Sequence, residues 1–215
     1  MKVKKISGTV DHTVVLGSGH YGNKLTVTST GIIVPSMNGM NAVYASAQTP
    51  AVSLTNDGRI AGSAGSYGYN VPGGNAGIGV DLQDSGTIRN SGQIIGGNGG
   101  YSYDGPMGGA GGAGISLAAG IVSNQGLIEG GDSPGAFDGN GNVGGDGIDT
   151  ATGKITNSGT IAGGYGGFSS NGYAGNAGAG VIMTGLGEVS NSGSISGALA
   201  GCGKTPPQIG FDLIP

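Results

Sequence analysis

The chain has 215 residues, 53 of them glycine and only 9% charged, with a formal net charge of -4. Eight basic residues scattered along an acidic chain exclude the positive footprint that nucleic-acid binding requires. No apolar run approaches the roughly 18 residues of a membrane-spanning helix, and the lone Cys202 excludes an internal disulfide and reads as an incidental thiol near a frayed end. Glycine at this level usually marks a flexible, low-complexity chain. Here charge is too sparse to keep a chain solvated, and the apolar residues are mainly Val, Ile, Leu and Ala. Collagen is excluded too, because glycine keeps no strict every-third-residue period and the prolines number only eight.

In chain order, Lys2, Lys4 and Lys5 resemble the start of a secretory signal, but "ISGTVDHTVVLG" supplies no continuous apolar core after them. "KLTVTSTGIIV", residues 24–34, sets Leu25 and Val27 against Thr26 and Thr28 and reads as an irregular first coil, so residues 1–50 are expected to cap the repeats. From residue 51 to 200 the chain repeats. Five copies align as "LTNDGRIAG", "IRNSGQIIG", "VSNQGLIEG", "ITNSGTIAG" and "VSNSGSISG", with Asn56, Asn90, Asn124, Asn157 and Asn191 spaced by 34, 34, 33 and 34 residues. Each copy carries an isoleucine four positions after the asparagine: Ile60, Ile94, Ile128, Ile161 and Ile195. A second column, Gly77-Ile78, Gly114-Ile115, Gly147-Ile148 and Gly180-Val181, opens a short apolar stretch leading into the next copy. Between them lie glycine-rich segments, residues 63–76, 97–113, 131–146 and 164–179. Each period therefore reads as strand, turn, strand, turn, strand and long loop. Residues 201–215 abandon the pattern, with Pro206-Pro207 blocking further pairing.

Helical repeats share such periods, but each glycine costs a helix interior about 1 kcal/mol relative to alanine. Strands fit better. The leading aliphatic and the Asn fall on one side, and Thr55, Arg89, Ser123, Thr156 and Ser190 fall on the other, so one face is dry. Strands this short need neighbours. The expected fold is all-β, a parallel β-helix (β-solenoid) of about five to six coils with 33–34-residue repeats and long glycine-rich loops. In it the isoleucines and asparagines form interior ladders, and the glycine after Asn-x sits where the coil turns and needs positive φ.

Candidate chemistry is sparse. His12 and His20 read as exposed polar residues with no nucleophile beside them. Asp81 and Asp149 occupy matching positions two coils apart, about 10 Å, with Asp84 nearby; a polysaccharide hydrolase or lyase built on these acids is the enzyme alternative. "GGDGIDTAT", residues 144–152, resembles one copy of a calcium-binding nonapeptide, and "GGNAGIG" resembles a dinucleotide loop. The first lacks its tandem array and the second its helix, so neither a metal nor a cofactor is implied. Each long loop carries aromatics: Tyr67 and Tyr69, Tyr101 and Tyr103, Phe137, then Tyr165, Phe168 and Tyr173. Leaving the solenoid from one edge, these rings would form a contact row; packed back over glycine backbone, they would only cover a strand edge.

The "ITNSGTIAGG" repeats, the "GIGVDL" and "AGVIM" coil openings, and "TVVLGSGHYGNKLTVTSTGIIV" resemble the passenger segments of bacterial autotransporters and related haemagglutinin-like surface proteins over most of residues 9–200. The resemblance implies a right-handed parallel β-helix, exported to the Gram-negative cell surface or secreted, that serves adhesion, aggregation or virulence. The implied partner is a glycan or protein on a host or neighbouring cell. No outer-membrane barrel accompanies it in this chain. The expected function is thus a non-catalytic interaction module, with the polysaccharide-active enzyme and a purely structural, self-associating solenoid as alternatives.

Overall fold

The computed structural model describes residues 3–18 and 20–204. Lys2, read as part of a basic start, and Pro206-Pro207, read as a block to pairing, lie outside the described residues. Among the described residues every element is a strand and every pairing is parallel, so the chain is a β-solenoid. Its wall has three faces. The chain enters each rung on a face made by Lys4–Ile6, Lys24–Val27, Val52–Asn56, the later parts of Val80–Asn90, Ile115–Asn124 and Ile148–Asn157, and Gly187–Asn191. A corner leads to the second face, Thr9–Val10, Ile32–Ile33, Arg59–Ala61, Gln93–Ile95, Leu127–Glu129, Thr160–Ala162 and Ser194–Ser196. The third face is Val14–Leu16, Val43–Ala45, the opening residues of the same three long strands, and Val181–Met183.

The N-terminal segment holds two rungs rather than one irregular coil: Lys4 pairs with Leu25, and Leu25 with Leu54. They are shorter because neither sends out a glycine-rich loop, and this is why their period escapes a search tuned to 34 residues. The next rungs repeat the long period, with Asn56, Asn90, Asn124, Asn157 and Asn191 in direct register.

Inside, Ile60, Ile94, Ile128 and Ile161 are fully buried, and Ile195 in the last rung is partly so. Leu54, Ile88, Val122 and Ile155 form a second column, and Val80, Ile115, Ile148 and Val181 a third. Burying such a side chain stabilises by roughly 1.5–3 kcal/mol, so the columns are the main driving force for stacking. Beside them, each asparagine Nδ2 donates to the next asparagine Oδ1 at 2.8 Å, from Asn56 through to Asn191. The second amide hydrogen goes to a carbonyl of the following rung, Gln93 O, Leu127 O, Thr160 O or Ser194 O, each at 3.0 Å. The glycine two positions on returns a hydrogen bond to Oδ1, as Gly58 N does to Asn56. These hydrogen bonds offset the cost of taking the amides out of water.

That glycine is required for a reason other than the expected one. Gly58, Gly92, Gly126, Gly159 and Gly193 do not have positive φ. They are glycine because the corners stack backbone on backbone. A Cβ on Gly126 would lie 2.1 Å from Gly92 O, and one on Gly159 2.2 Å from Gly126 O. Positive φ falls instead at the opposite corner, at Gly120 and Gly153, where the long strands bend between the third face and the first.

Candidate functional site

The four glycine-rich loops are one ordered extension, a slab that leaves the wall between the second and third faces. In each loop the backbone runs out, turns and runs back, and its hydrogen bonds point in directions that repeat every three residues. One residue in three bonds to the same arm of the next rung: Gly62 N donates to Ile95 O, Gly96 N to Glu129 O, Gly130 N to Ala162 O. The next in line bonds across to the opposite arm. Gly97 N donates to Gly77 O, Gly112 N to Gly97 O, Gly131 N to Gly112 O, Gly145 N to Gly131 O and Gly164 N to Gly145 O, all at 2.8–2.9 Å. The third residue faces outward and carries the side chain, as at Ala64, Asn98, Asp132 and Tyr165. This is the periodicity of polyproline II, a conformation without internal hydrogen bonds, so each buried N–H must find its partner in a neighbouring arm. Glycine fills the inner positions because the arms touch through their backbones: a Cβ on Gly131 would sit 1.8 Å from Gly97 O.

At the tip the arms become short strands, Gly68–Tyr69, Ser102–Tyr103, Gly135–Ala136 and Phe168–Ser169, which form a sheet of their own. Alternation turns Ser102 and Ala136 inward and the aromatics outward. Six of the eight aromatics expected at a contact surface form two stacks. Tyr69, Tyr103 and Phe137 have ring centroids 5.9 and 5.4 Å apart. Tyr67 and Tyr101 are 6.0 Å apart, and Phe168 reaches Tyr101 at 5.9 Å. It does so past Gly135, which occupies that position in the intervening rung. Tyr67, Tyr69, Tyr103, Phe137 and Phe168 are exposed, and Tyr101 is half-buried. Tyr165 and Tyr173 are exposed outside the stacks.

Beside the stack of Tyr69, Tyr103 and Phe137 runs a polar column that sequence reading missed: Asn70, Asp104, Asp138 and Asn171. Asn70 and Asp104 turn the tip with φ of 56° and 52°, a region that Asn and Asp tolerate better than most residues. Desolvation and then the neighbouring Asp138 carboxyl hold Asp104 above the usual carboxylate range. The Tyr101 hydroxyl is raised as well, by desolvation first and then by the surrounding tyrosines and aspartates. The tip is electronegative. The recurring "YN", "YD" and "FD" pairs were the signal for this column.

The other candidates go elsewhere. Asp81 and Asp149 are indeed two strands apart, paired through Ser116. Asp81 is buried, and its two oxygens accept from Asn41 Nδ2 at 2.8 Å and Gln83 Nε2 at 2.6 Å; burial raises its pKa while these two hydrogen bonds oppose the rise. Asp84 is exposed at the corner bulge. His12 lies against Asp11 at 3.3 Å and His20 edge-on to Tyr21 at 4.6 Å. In "GGNAGIG" the amides of Gly73, Gly74, Gly77 and Gly79 all donate to carbonyls of the slab and are closed to a phosphate. In "GGDGIDTAT", Asp146 Oδ1 accepts from Ala179 N at 2.7 Å, and among the described residues no three acidic, histidine or cysteine side chains converge on one point. Cys202 is exposed.

Asp146 carries a pH dependence. Burial pushes its pKa above 3.8, the Ala179 N–H opposes the shift, and the Asp149 charge adds to it. A carboxyl that holds its proton more tightly when folded contributes stability that is fully present below its unfolded value and is lost as pH rises through the raised folded value. Asp146→Asn keeps the accepting oxygen and removes the charge. Its melting temperature is expected to match the parent near about pH 3 and to exceed it above about pH 5; a parallel pH profile would contradict this.

Comparison with protein-family models, with curated proteins and with solved structures finds no match to this chain.

Proposed function

We propose that this chain is a non-catalytic interaction module, displayed outside a Gram-negative cell or secreted in the manner of an autotransporter passenger, and acting in adhesion or aggregation through the tip of its glycine extension. The observation that carries the reading is the placement of the aromatics. Two ring stacks are held on the outer surface of a hydrogen-bonded slab, with Tyr67 and Tyr69 each 61% exposed and Phe168 42% exposed. Preorganised aromatics lose little entropy on binding, and an exposed cluster of them is a recurrent mark of a contact surface. Interior rings use their faces on one another, so a ligand lying along the stacks meets ring edges and tyrosine hydroxyls. A glycan or protein surface on a host or neighbouring cell provides suitable partners.

The test uses the full chain on beads, against cells and against glycan and protein arrays. The double variant Tyr103→Ala/Phe137→Ala, with an unchanged circular dichroism spectrum, is expected to lower adhesion by about tenfold, since aromatic contacts dominate such surfaces. Undiminished adhesion would remove the tip from the account. Release of reducing ends from a polysaccharide by the parent chain, lost in Asp81→Asn and Asp149→Asn, would replace it with the enzyme reading. Beads that bind only one another would favour the self-associating solenoid.

A further inference from the structure

The slab begins at the third rung and the wall at the first, so the slab's N-terminal side is a shelf set back by two rungs. At the ~4.8 Å spacing of parallel strands the step is about 10 Å high. The loop of residues 36–41 rests on the shelf's inner part: Gly39 N donates to Ala64 O at 2.9 Å, Met40 N to Ser63 Oγ at 2.7 Å, and Ser63 Oγ to Met37 O at 2.6 Å. In the outer part, residues 65–72, Ser66, Tyr67, Tyr69, Asn70, Val71 and Pro72 are exposed, Gly65 is half-buried and Gly68 is buried. There Gly68–Tyr69 is the edge strand of the tip sheet and pairs only with Ser102–Tyr103. Since Gly68 N donates to Tyr101 O and Asn70 N to Tyr103 O, the opposite edge presents the Tyr67 and Tyr69 carbonyls and the Tyr69 N–H. The same rung ends both aromatic stacks, so Tyr67 and Tyr69 each keep one ring face open beside that edge.

Three properties of the shelf point to one kind of occupant. Its main-chain groups alternate acceptor and donor at strand spacing, which a polypeptide matches and a sugar does not. The open ring faces are two residues apart on one strand, the separation of side chains i and i+2 on a partner strand. The charge has one sign: the four glycine-rich segments contain Asp104, Asp132, Asp138 and Asp146 and no lysine or arginine. Met37, 71% exposed, and Met40 stand at the inner wall as adaptable apolar contacts.

We propose that the shelf is a strand-addition site for an extended cationic peptide of a partner protein. The peptide pairs with Gly68–Tyr69 in parallel register, and an arginine or lysine at i and i+2 covers the open rings of Tyr67 and Tyr69. The residue between them donates its N–H to Tyr67 O and accepts from Tyr69 N–H. This names a partner class for the interaction module and rests on that reading.

The experiment is fluorescence polarisation of the full chain with labelled ten-residue peptides in which Arg-Gly-Arg is flanked by glycine and serine. Replacing Arg-Gly-Arg by Glu-Gly-Glu is expected to weaken binding at least tenfold, because both cation–π contacts and the favourable field are lost. Methylating the central glycine nitrogen, which removes the donor to Tyr67 O, should also weaken it several-fold, as should Tyr67→Ala or Tyr69→Ala. Val143→Ala, an exposed outward position two rungs behind the shelf, should leave peptide affinity within about twofold. Equal affinity for the two peptides, or indifference to the methyl group, overturns the site. If adhesion falls in Tyr103→Ala/Phe137→Ala while no peptide binds, the interaction module stands and this shelf does not.

Discussion

Gly131→Ala is expected to cost more than about 4 kcal/mol, the range reserved for overpacking that the surroundings cannot absorb. The added Cβ would lie 1.8 Å from Gly97 O and 2.4 Å from Gly97 C, and neither is a side chain that can rotate away. Gly131 is also the middle of a hydrogen-bond path, donating to Gly112 O and accepting from Gly145 N, both at 2.8 Å. Separating the arms to admit one methyl group breaks those bonds and strands amides buried between the arms. The principle is the one that makes a single glycine replacement disrupt a collagen triple helix. Urea denaturation would measure the loss, and amide hydrogen exchange should localise it to the slab. Val143→Ala, an outward position of the same slab, is expected to change stability by less than about 0.5 kcal/mol. Equal effects at the two positions would show that the arms are not packed through their backbones.

Asn124→Ala is expected to cost about 3 kcal/mol, well above Ser123→Ala on the outer side of the same strand. The loss comes from what is left behind. Asn90 Nδ2 no longer has Asn124 Oδ1 at 2.8 Å, Gly126 N loses its acceptor, and Asn157 Oδ1 and Thr160 O lose a donor, in a region where the asparagines are only 1–2% accessible. Each buried unpaired group costs about 1–3 kcal/mol, and donors tolerate orphaning less well than carbonyl oxygens. Asn56→Val should therefore cost less than Asn124→Val. The rung before Asn56 carries Val27, so nothing upstream is left unpaired, and the replacement continues an aliphatic column. Thermal unfolding of the four variants tests the order; a larger effect at the start of the ladder would reverse the argument.

The solenoid was legible because its signal is local and repeated. Asn and Ile recur at one spacing, a strand shows its two sides within five residues, and five copies outvote any single ambiguity. The first two rungs were not, since without glycine loops they are shorter and Ile6 and Val27 stand where the asparagines would be. The corner glycines were assigned the wrong cause: φ is a local property that sequence suggests, whereas the approach of Gly92 to Gly126 belongs to two rungs at once. Runs such as "GGNGGY" and "GGYGGF" do carry a three-residue period, but only inside the slab, too briefly to stand out in the whole chain.

By itself the sequence determined the rung. Period, strand direction and the dry face come from which side chains alternate, and stacking is forced because no single rung can bury its own isoleucine. Only the tertiary structure decided the slab, the two ring stacks and the set-back shelf with its open edge. Glycine carries no side chain whose pattern reveals its neighbours, so the partners of its N–H and C=O groups appear only when arms of the same rung and of successive rungs lie against one another.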